Sequence, residues 1–429
     1  MDFSPAILKV KEANKILIVS HYDCDGLCSA KILKTTLKKE GKETKIKIVK
    51  EISKDIIREV EDEFEKENFD LIIFSDLGSP YLSLLPEDKD IIILDHHVPE
   101  NIKVPKNIIL INPYLENKEL CGAGICYLFA SKINQNPELI DYAIVGAIGD
   151  NQVEIGENKK IVSEAEKIKR LKIEKGLKIF GHVNRPLHES LKNANFFPLN
   201  TYSEVVQFLS DINLNQNGKI KSYYDLSKEE KEKLLLEIIK ERIRNNLEEP
   251  ANIFSDVYIL TKQPRELMDA LEFSTILNAF GRLERYDEAF ELMDGKLEKL
   301  EEIMLEYRKK LATYLSFVAE NMDSFPQTEN ILFINAKEKI DENMIGTVTS
   351  IVINSLTNKK IVLGFAYSGD MVKISARSKI ERVDLNEIVS KICEKLGGTG
   401  GGHKEAAGGK IEKGKEEEFI EEFKKIVER

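Results

Sequence analysis

Apolar residues in the first 150 positions gather into short runs bounded by charged or turn-forming residues: Ile16–Val19, Lys45–Val49, Leu71–Phe74, Ile91–Leu94 and Ile108–Ile111. Most are continuous rather than alternating, which is how strands buried on both faces read. Between them the spacing of apolar residues predicts helices at Cys28–Glu40, Asp55–Glu67 and Gly124–Ile133. Strands that alternate with helices predict an α/β fold with a doubly wound, mainly parallel sheet. In such a sheet ligands sit beyond the carboxyl ends of the strands.

The pattern changes at about residue 155. "KEEKEKLLLEIIKERIRNNLEE" (Lys228–Glu249) and "GKLEKLEEIMLEYRKKLATYLSFVAENM" (Gly295–Met322) are long, charged and helically periodic, and read as solvated or connecting helices. From about 328 strand-like runs return in "NILFINA", "KKIVLGFAYSGD" and "MVKISARS", followed by a glycine-rich stretch and a charged terminal helix. The expected division is an N-terminal α/β domain over 1–160, a helical middle region with a connecting helix over 161–325, and a smaller C-terminal α/β domain over 326–429.

Composition narrows the function. A chain of 429 residues exceeds one ordinary core, so two or three domains are expected. The longest apolar runs are far too short to span a bilayer. The opening "MDFSPAILKVKEANK" lacks the basic-then-apolar pattern of a secretion signal, so a cytoplasmic location and no membrane partner are expected. The five cysteines (Cys24, Cys28, Cys121, Cys126 and Cys393) form no CxxC pair, which argues against a disulfide framework or a structural zinc site. The net charge of −11 disfavours a protein that grips polyanions over its whole surface. It leaves room for a nucleic-acid enzyme whose acidic site is neutralised by metal ions.

Three of the six histidines, His21, His96 and His97, follow the predicted strands at their C-terminal ends. Acids accompany them: Asp23 and Asp25 after Ile16–Val19, Asp76 after "LIIF", and Asp95 after "IIIL". A fourth signal, Asp150, ends the apolar run "DYAIVGAIGD", taken here as one more strand end. One aspartate at a strand end is ordinarily a turn former or a helix N-cap. Four such signals in register are expected to converge on one sheet edge. An Asp/His set without thiolate suits octahedral Mn²⁺ or Mg²⁺. Two such ions ~3.5–4 Å apart are the tool for in-line attack on phosphorus.

"SHYDCDG" (20–26), "FSDLG" (74–78), "LDHH" (94–97) and "VGAIGD" (145–150) resemble, in order, the four motifs of the DHH phosphoesterase family. "GAIGDNQVEIGEN" resembles the segment after the fourth motif in RecJ-type exonucleases, "LNAFGRL" (277–283) their "NAAGRL" signature, and "GGTGGGH" (397–403) the glycine-rich motif of the DHH-associated C-terminal domain. The likeness is to archaeal RecJ-like, single-strand-specific exonucleases. It implies two divalent ions, Mn²⁺ foremost with Mg²⁺ as the other candidate. His21 and Asp23 would hold one ion, Asp25, His96 and Asp150 the other, and Asp76 would bridge them. The two aspartates around Cys24 would thus serve different ions and Cys24 neither, with Gly26 permitting the turn into the following helix. Asp95 would support the ligand histidines, and His97 would face the substrate phosphate or the attacking water.

The resemblance further implies that Arg377, His403 and the backbone of Gly400, Gly401 and Gly402 bind substrate phosphate, with Asn278 and Arg282 as backbone-phosphate contacts or helix caps. His182 and His188 in "GHVNRPLHES" read as structural, because their spacing does not place both on one helical face. The segment 195–255 matches no motif. The expected activity is exonucleolytic hydrolysis of single-stranded DNA or RNA to 5′-mononucleotides, in a cleft that is positive where the strand runs. The alternatives are an oligoribonuclease or cyclic-dinucleotide phosphodiesterase, and a scaffold bound to helicase-associated replication or repair proteins.

Overall fold

The computed structural model describes every residue except Asn195, Phe197, Pro198, Asn200, Asn217, Glu248, Glu381 and Arg429; six of these belong to the unmatched segment 195–255. The chain forms two compact units, Met1–Leu297 and Glu298–Arg429.

The first unit opens with α1 (Ser4–Glu12), then β1 (Lys15–His21), α2 (Cys24–Lys39), β2 (Glu43–Val49), α3 (Lys54–Glu67), β3 (Leu71–Ser75), β4 (Ile91–Leu94) and β5 (Ile108–Ile111). All five strands pair in parallel in the order β2-β1-β3-β4-β5. The predicted runs are these strands; β1, β3 and β4 are buried on both faces, whereas the edge strands β2 and β5 are partly exposed. Leu17, Val19, Ile72, Phe74, Ile91 and Ile93 pack on α3 through Ile57, Val60 and Phe64. The other face is covered by α2, which packs against α4 (Gly122–Ile133) and α5 (Ile140–Gly149).

Two features of this sheet place the site. The strand order reverses between β1 and β3, since β2 lies beyond one and β4 and β5 beyond the other; such a switch point opens a crevice. The register then aligns the strand ends. Ser20 pairs with Ser75 and Ser75 with Leu94, so His21, Asp76 and Asp95, one residue on, emerge side by side.

Two sequence expectations need correction. "DYAIVGAIGD" is not a strand: it is the buried helix α5, with Asp150 as its C-cap. A short continuous apolar run has no periodicity to separate a buried helix from a buried strand. The helix after β1 begins at Cys24, four residues earlier than its apolar spacing suggested, because Asp23 caps it by accepting from Gly26 N. Gly26 therefore serves close packing within the first turn rather than turning the chain: a Cβ there would lie 2.3 Å from the His21 carbonyl oxygen.

The rest of the first unit comprises α6 (Asn158–Lys167), β6 (Leu171–Leu177), α7 (Leu187–Ala194), α8 (Tyr202–Asp211), the β7–β8 hairpin (Asn215–Gln216, Lys219–Ile220), α9 (Lys228–Arg244), β9 (Phe254–Leu260), α10 (Ala270–Arg282) and α11 (Tyr286–Met293). This middle region is mainly helical, with its own core of Leu187, Leu191, Val205, Leu209, Leu234 and Ile238. The antiparallel pair β6–β9 adds strands that the sequence pattern did not reveal. α10 returns to pack on α5 and α2.

The second unit contains α12 (Leu300–Glu320), β10 (Ile331–Lys337), α13 (Glu342–Ser355), β11 (Ile361–Ser368), β12 (Met371–Ser378), α14 (Leu385–Lys395), β13 (Thr399–Gly402), β14 (Ala406–Glu412) and α15 (Glu416–Val427). Its mixed sheet runs β10-β11-β12-β14-β13, parallel only between β10 and β11. Val389 and Ile392 of α14 and Phe419 and Phe423 of α15 share one core with Phe333, Leu363 and Ile374. The glycine-rich segment is not a linker but the exposed edge strand β13. Among the described residues no helix is long and apolar enough to cross a membrane.

Candidate dinuclear metal centre

The aligned strand ends bring the aspartates and histidines into adjoining groups. His21, Asp23 and Asp76 form one, and Asp25, His96 and Asp150 form another. Asp76 lies between them, almost fully buried, with one carboxylate oxygen on each side. Oδ2 is 3.5 Å from His21 Nδ1 and Oδ1 is 3.3 Å from His96 Nε2. His21 Nδ1 also faces Asp23 Oδ2 at 2.9 Å, and His96 Nε2 faces Asp150 Oδ2 at 3.8 Å.

The backbone is bent to achieve this. Asp76 has φ +58, a left-handed conformation that costs a non-glycine residue about 1–2 kcal/mol, although aspartate tolerates it better than most. Gly122 passes so close that a Cβ would lie 2.7 Å from Asp76 Oδ1. Asp25, in the first turn of α2, accepts from Gly122 N at 2.6 Å and Ala123 N at 2.9 Å. The first amides of α4 thus hold the carboxylate at a helix N-terminus, where negative charge is favoured.

Asp95 is fully buried and works through the chain around it. Its Oδ2 accepts from Ser79 N, and its Oδ1 from His96 N at 2.8 Å and His97 Nδ1 at 2.7 Å. It therefore supports the ring of His97 and the backbone of His96, but not the His96 ring. His97 is half-exposed, with Nδ1 turned to Asp95. Its carbonyl accepts from Asn112 Nδ2 at 2.8 Å, a support that no sequence motif announced.

The electrostatics mark this as a cation site. Burial alone would lower the pKa of His96, but the carboxylates of Asp76, Asp25 and Asp150 push it up to about 10. Burial likewise opposes the charge on His21, and Asp23 and Asp76 hold it well above its ordinary value. Burial, then repulsion from Asp76 and Asp23, raises Asp150 to about 6. His21 Nδ1 and Asp76 Oδ1 are buried and make no well-aligned hydrogen bond, although Asp23 Oδ2 and His96 Nε2 lie close to them. Donor atoms so placed in an oxygen- and nitrogen-only set fit hard divalent cations.

Protons and cations compete for this cluster, which fixes the sign of a pH effect. A histidine with a raised pKa stabilises the fold below about pH 6.5 and loses that contribution as pH rises through about 10. Thermal stability in EDTA should therefore fall across that window. Mn²⁺ affinity should rise over the same window by about tenfold per pH unit for each proton displaced. Calorimetry in buffers of different ionisation enthalpy would count those protons; a pH-independent affinity would contradict the assignment.

The remaining candidates sit apart from these ligands. Cys24 Sγ lies 3.4 Å from the Val145 carbonyl oxygen, away from both groups. Asn278 Oδ1 accepts from Cys24 N at 3.1 Å, so "LNAFGRL" buttresses the loop carrying Asp23. One helical turn on, Arg282 is half-buried with no ion pair among the described residues. In the second unit, Arg377 donates to the hydroxyls of Ser350 and Ser375 and stands opposite Ala406 in the sheet. The carbonyl of Ala406 accepts from His403 N. Gly400, Gly401 and Gly402 form the exposed edge beside it. His182 is buried and bonded to the Leu177 carbonyl, and His188 packs edge-on to Tyr202.

A parallel sheet with adjoining Asp/His groups that could hold metal ions at its switch point is an arrangement suited to a metal-dependent phosphoesterase. Residues 15–149 match the DHH family, N-terminal domain, and 329–429 the DHHA1 domain. An uncharacterized protein of Methanocaldococcus jannaschii is 30% identical over 430 residues, 96% of this chain and 93% of that protein. A putative single-strand DNA-specific exonuclease from a prophage of Bacillus subtilis is 28% identical over 162 residues, 34% of this chain and 27% of that protein. RecJ from Thermus thermophilus in complex with Mn²⁺ shares the fold at a TM-score of 0.63 and 18% identity, over 100% of this chain and 55% of RecJ. The chain belongs to the DHH phosphoesterase family and carries its DHHA1 domain.

Proposed function

We propose that the protein is an exonuclease that hydrolyses the phosphodiester bonds of single-stranded DNA or RNA to 5′-mononucleotides, using two divalent cations, Mn²⁺ foremost. The observation that carries this reading is Asp76, buried between the two cation groups with one oxygen toward each. His21 and Asp23 would hold one ion and Asp25, His96 and Asp150 the other. When bound, the pair would supply a water acidified to near neutral pH and positive charge for the attacking and leaving oxygens.

The chain's own groups then do the rest. His97, oriented by Asp95 through Nδ1, offers Nε2 to a phosphate oxygen or to the proton of the attacking water. Arg377 and His403, beside the glycine edge of β13, would hold phosphates of the strand, and Arg282 another. The putative exonuclease name of the prophage relative and the RecJ fold support the substrate class.

End-labelled single strands incubated with Mn²⁺ test the reading. Stepwise release of 5′-mononucleotides from long DNA or RNA is expected, with 5′- and 3′-blocked strands giving the polarity. Hydrolysis confined to dinucleotides, or none at all, would reject it. Arg377→Ala should weaken strand binding without changing metal stoichiometry, and should reduce the salt slope of binding by about 1. An unchanged slope would remove Arg377 from the substrate site.

A further inference from the structure

Gln152 takes part in no step described so far, yet its side chain touches two cation ligands. Its Nε2 donates to Asp150 Oδ2 at 2.6 Å and lies 3.3 Å from His96 Nδ1. Its Oε1 is buried without a hydrogen-bond partner.

The backbone explains how it gets there. Asp150 caps α5, donating to the Gly146 carbonyl; Asn151 N donates to Ile148 O and Gln152 N to Ala147 O. Asn151 is left-handed, at φ +57. These paired bonds around a left-handed residue make a Schellman cap. The cap ends the helix at Asp150 and folds Gln152 back over it.

We infer that Gln152 is the positioning residue of the Asp25–His96–Asp150 cation, joining the Asp150 carboxylate to the far edge of the His96 ring through one amide. The inference rests on the metal reading above. His96 turns Nε2 toward Asp76 and Asp150. To be a ligand it must keep the Nε2 lone pair free, so its ring proton sits on Nδ1 and needs an acceptor. As the amide stands, Nε2 faces both ligands, donating to Asp150 Oδ2 and lying against His96 Nδ1. Turning the amide so that the unpartnered Oε1 accepts the Nδ1 proton would give up the bond to Asp150, so the amide serves one ligand at a time and its two ends tie the settings of Asp150 and His96 to each other. Among the described residues Gln152 makes its side-chain hydrogen bonds to Asp150 and His96 and none to His21 or Asp23, so their cation should not depend on it.

The test is Mn²⁺ binding to the full chain by calorimetry and electron paramagnetic resonance. Wild type should take up two ions. In an Asp23→Ala background, which leaves the Asp25–His96–Asp150 ion, Gln152→Met should weaken binding about tenfold to a hundredfold. In an Asp150→Ala background, which leaves the other ion, Gln152→Met should leave affinity unchanged. Gln152→Asn, which keeps the amide one carbon too short, should act in the same direction and serves if Q152M does not fold. Equal weakening in both backgrounds, or none in either, would overturn the inference. Failure of wild type to bind two ions would instead overturn the metal reading beneath it.

Discussion

Asp76→Ala should abolish hydrolysis, lowering kcat by on the order of 10³-fold or more, because the charge stabilisation that a bound cation supplies is worth several kcal/mol. Both cation groups lose a donor at once, since the two oxygens of this one carboxylate face His21 and His96. Its effect on the fold is separable from this. Alanine tolerates the left-handed backbone at this position less well than aspartate, and His96 loses the carboxylate that chiefly keeps it charged. The variant is therefore expected to melt in EDTA below the wild-type temperature, and to lose the rise in melting temperature that Mn²⁺ gives wild type. Asp76→Asn, which tolerates the left-handed backbone, controls for local strain. Full activity in either variant, or an Mn²⁺-dependent stabilisation that survives, would refute the bridging role.

The second large effect is expected at Gly281, about 130 residues beyond the last cation ligand. A Cβ there would lie 1.9 Å from the Tyr22 carbonyl oxygen. The obstacle is backbone rather than a flexible side chain, so either α10 or the loop between His21 and Asp23 must move. Overpacking of this kind costs about 1–3 kcal/mol. Because Asn278 on the same helix holds Cys24 N, the displacement should pass directly to Asp23. Gly281→Ala should thus lower melting temperature and weaken the cation held by His21 and Asp23 more than that held by Asp25, His96 and Asp150. An alanine variant with unchanged stability and unchanged Mn²⁺ binding would show that α10 is not pressed against the loop.

These two positions show where sequence reading succeeds and where it stops. His21, Asp76 and Asp95 were legible because each follows a run so apolar that it must be a buried strand, and parallel strands end at one edge. Asp150 was legible as a residue but not in its setting. The run before it is buried on all sides in α5, and full burial erases the periodicity that separates helix from strand. Gln152 was invisible for a related reason. Its place depends on a left-handed cap at Asn151, and asparagine in such a cap looks like asparagine in any loop. Gly122 and Gly281 matter through what approaches them from elsewhere in the chain, so no local pattern reports them.

What the sequence determined by itself is therefore the five strands of the N-terminal sheet, their parallel pairing, and the residue types available at its edge, because all three follow from local burial and composition. The tertiary structure alone decided the rest. It set the register that aligns Ser20, Ser75 and Leu94, the turning of one Asp76 oxygen to each group, and the packing of α10 onto the first loop. These are relations between segments tens to hundreds of residues apart. They arise when the strands pair and the helices close over them, and neither periodicity nor spacing along the chain carries that information.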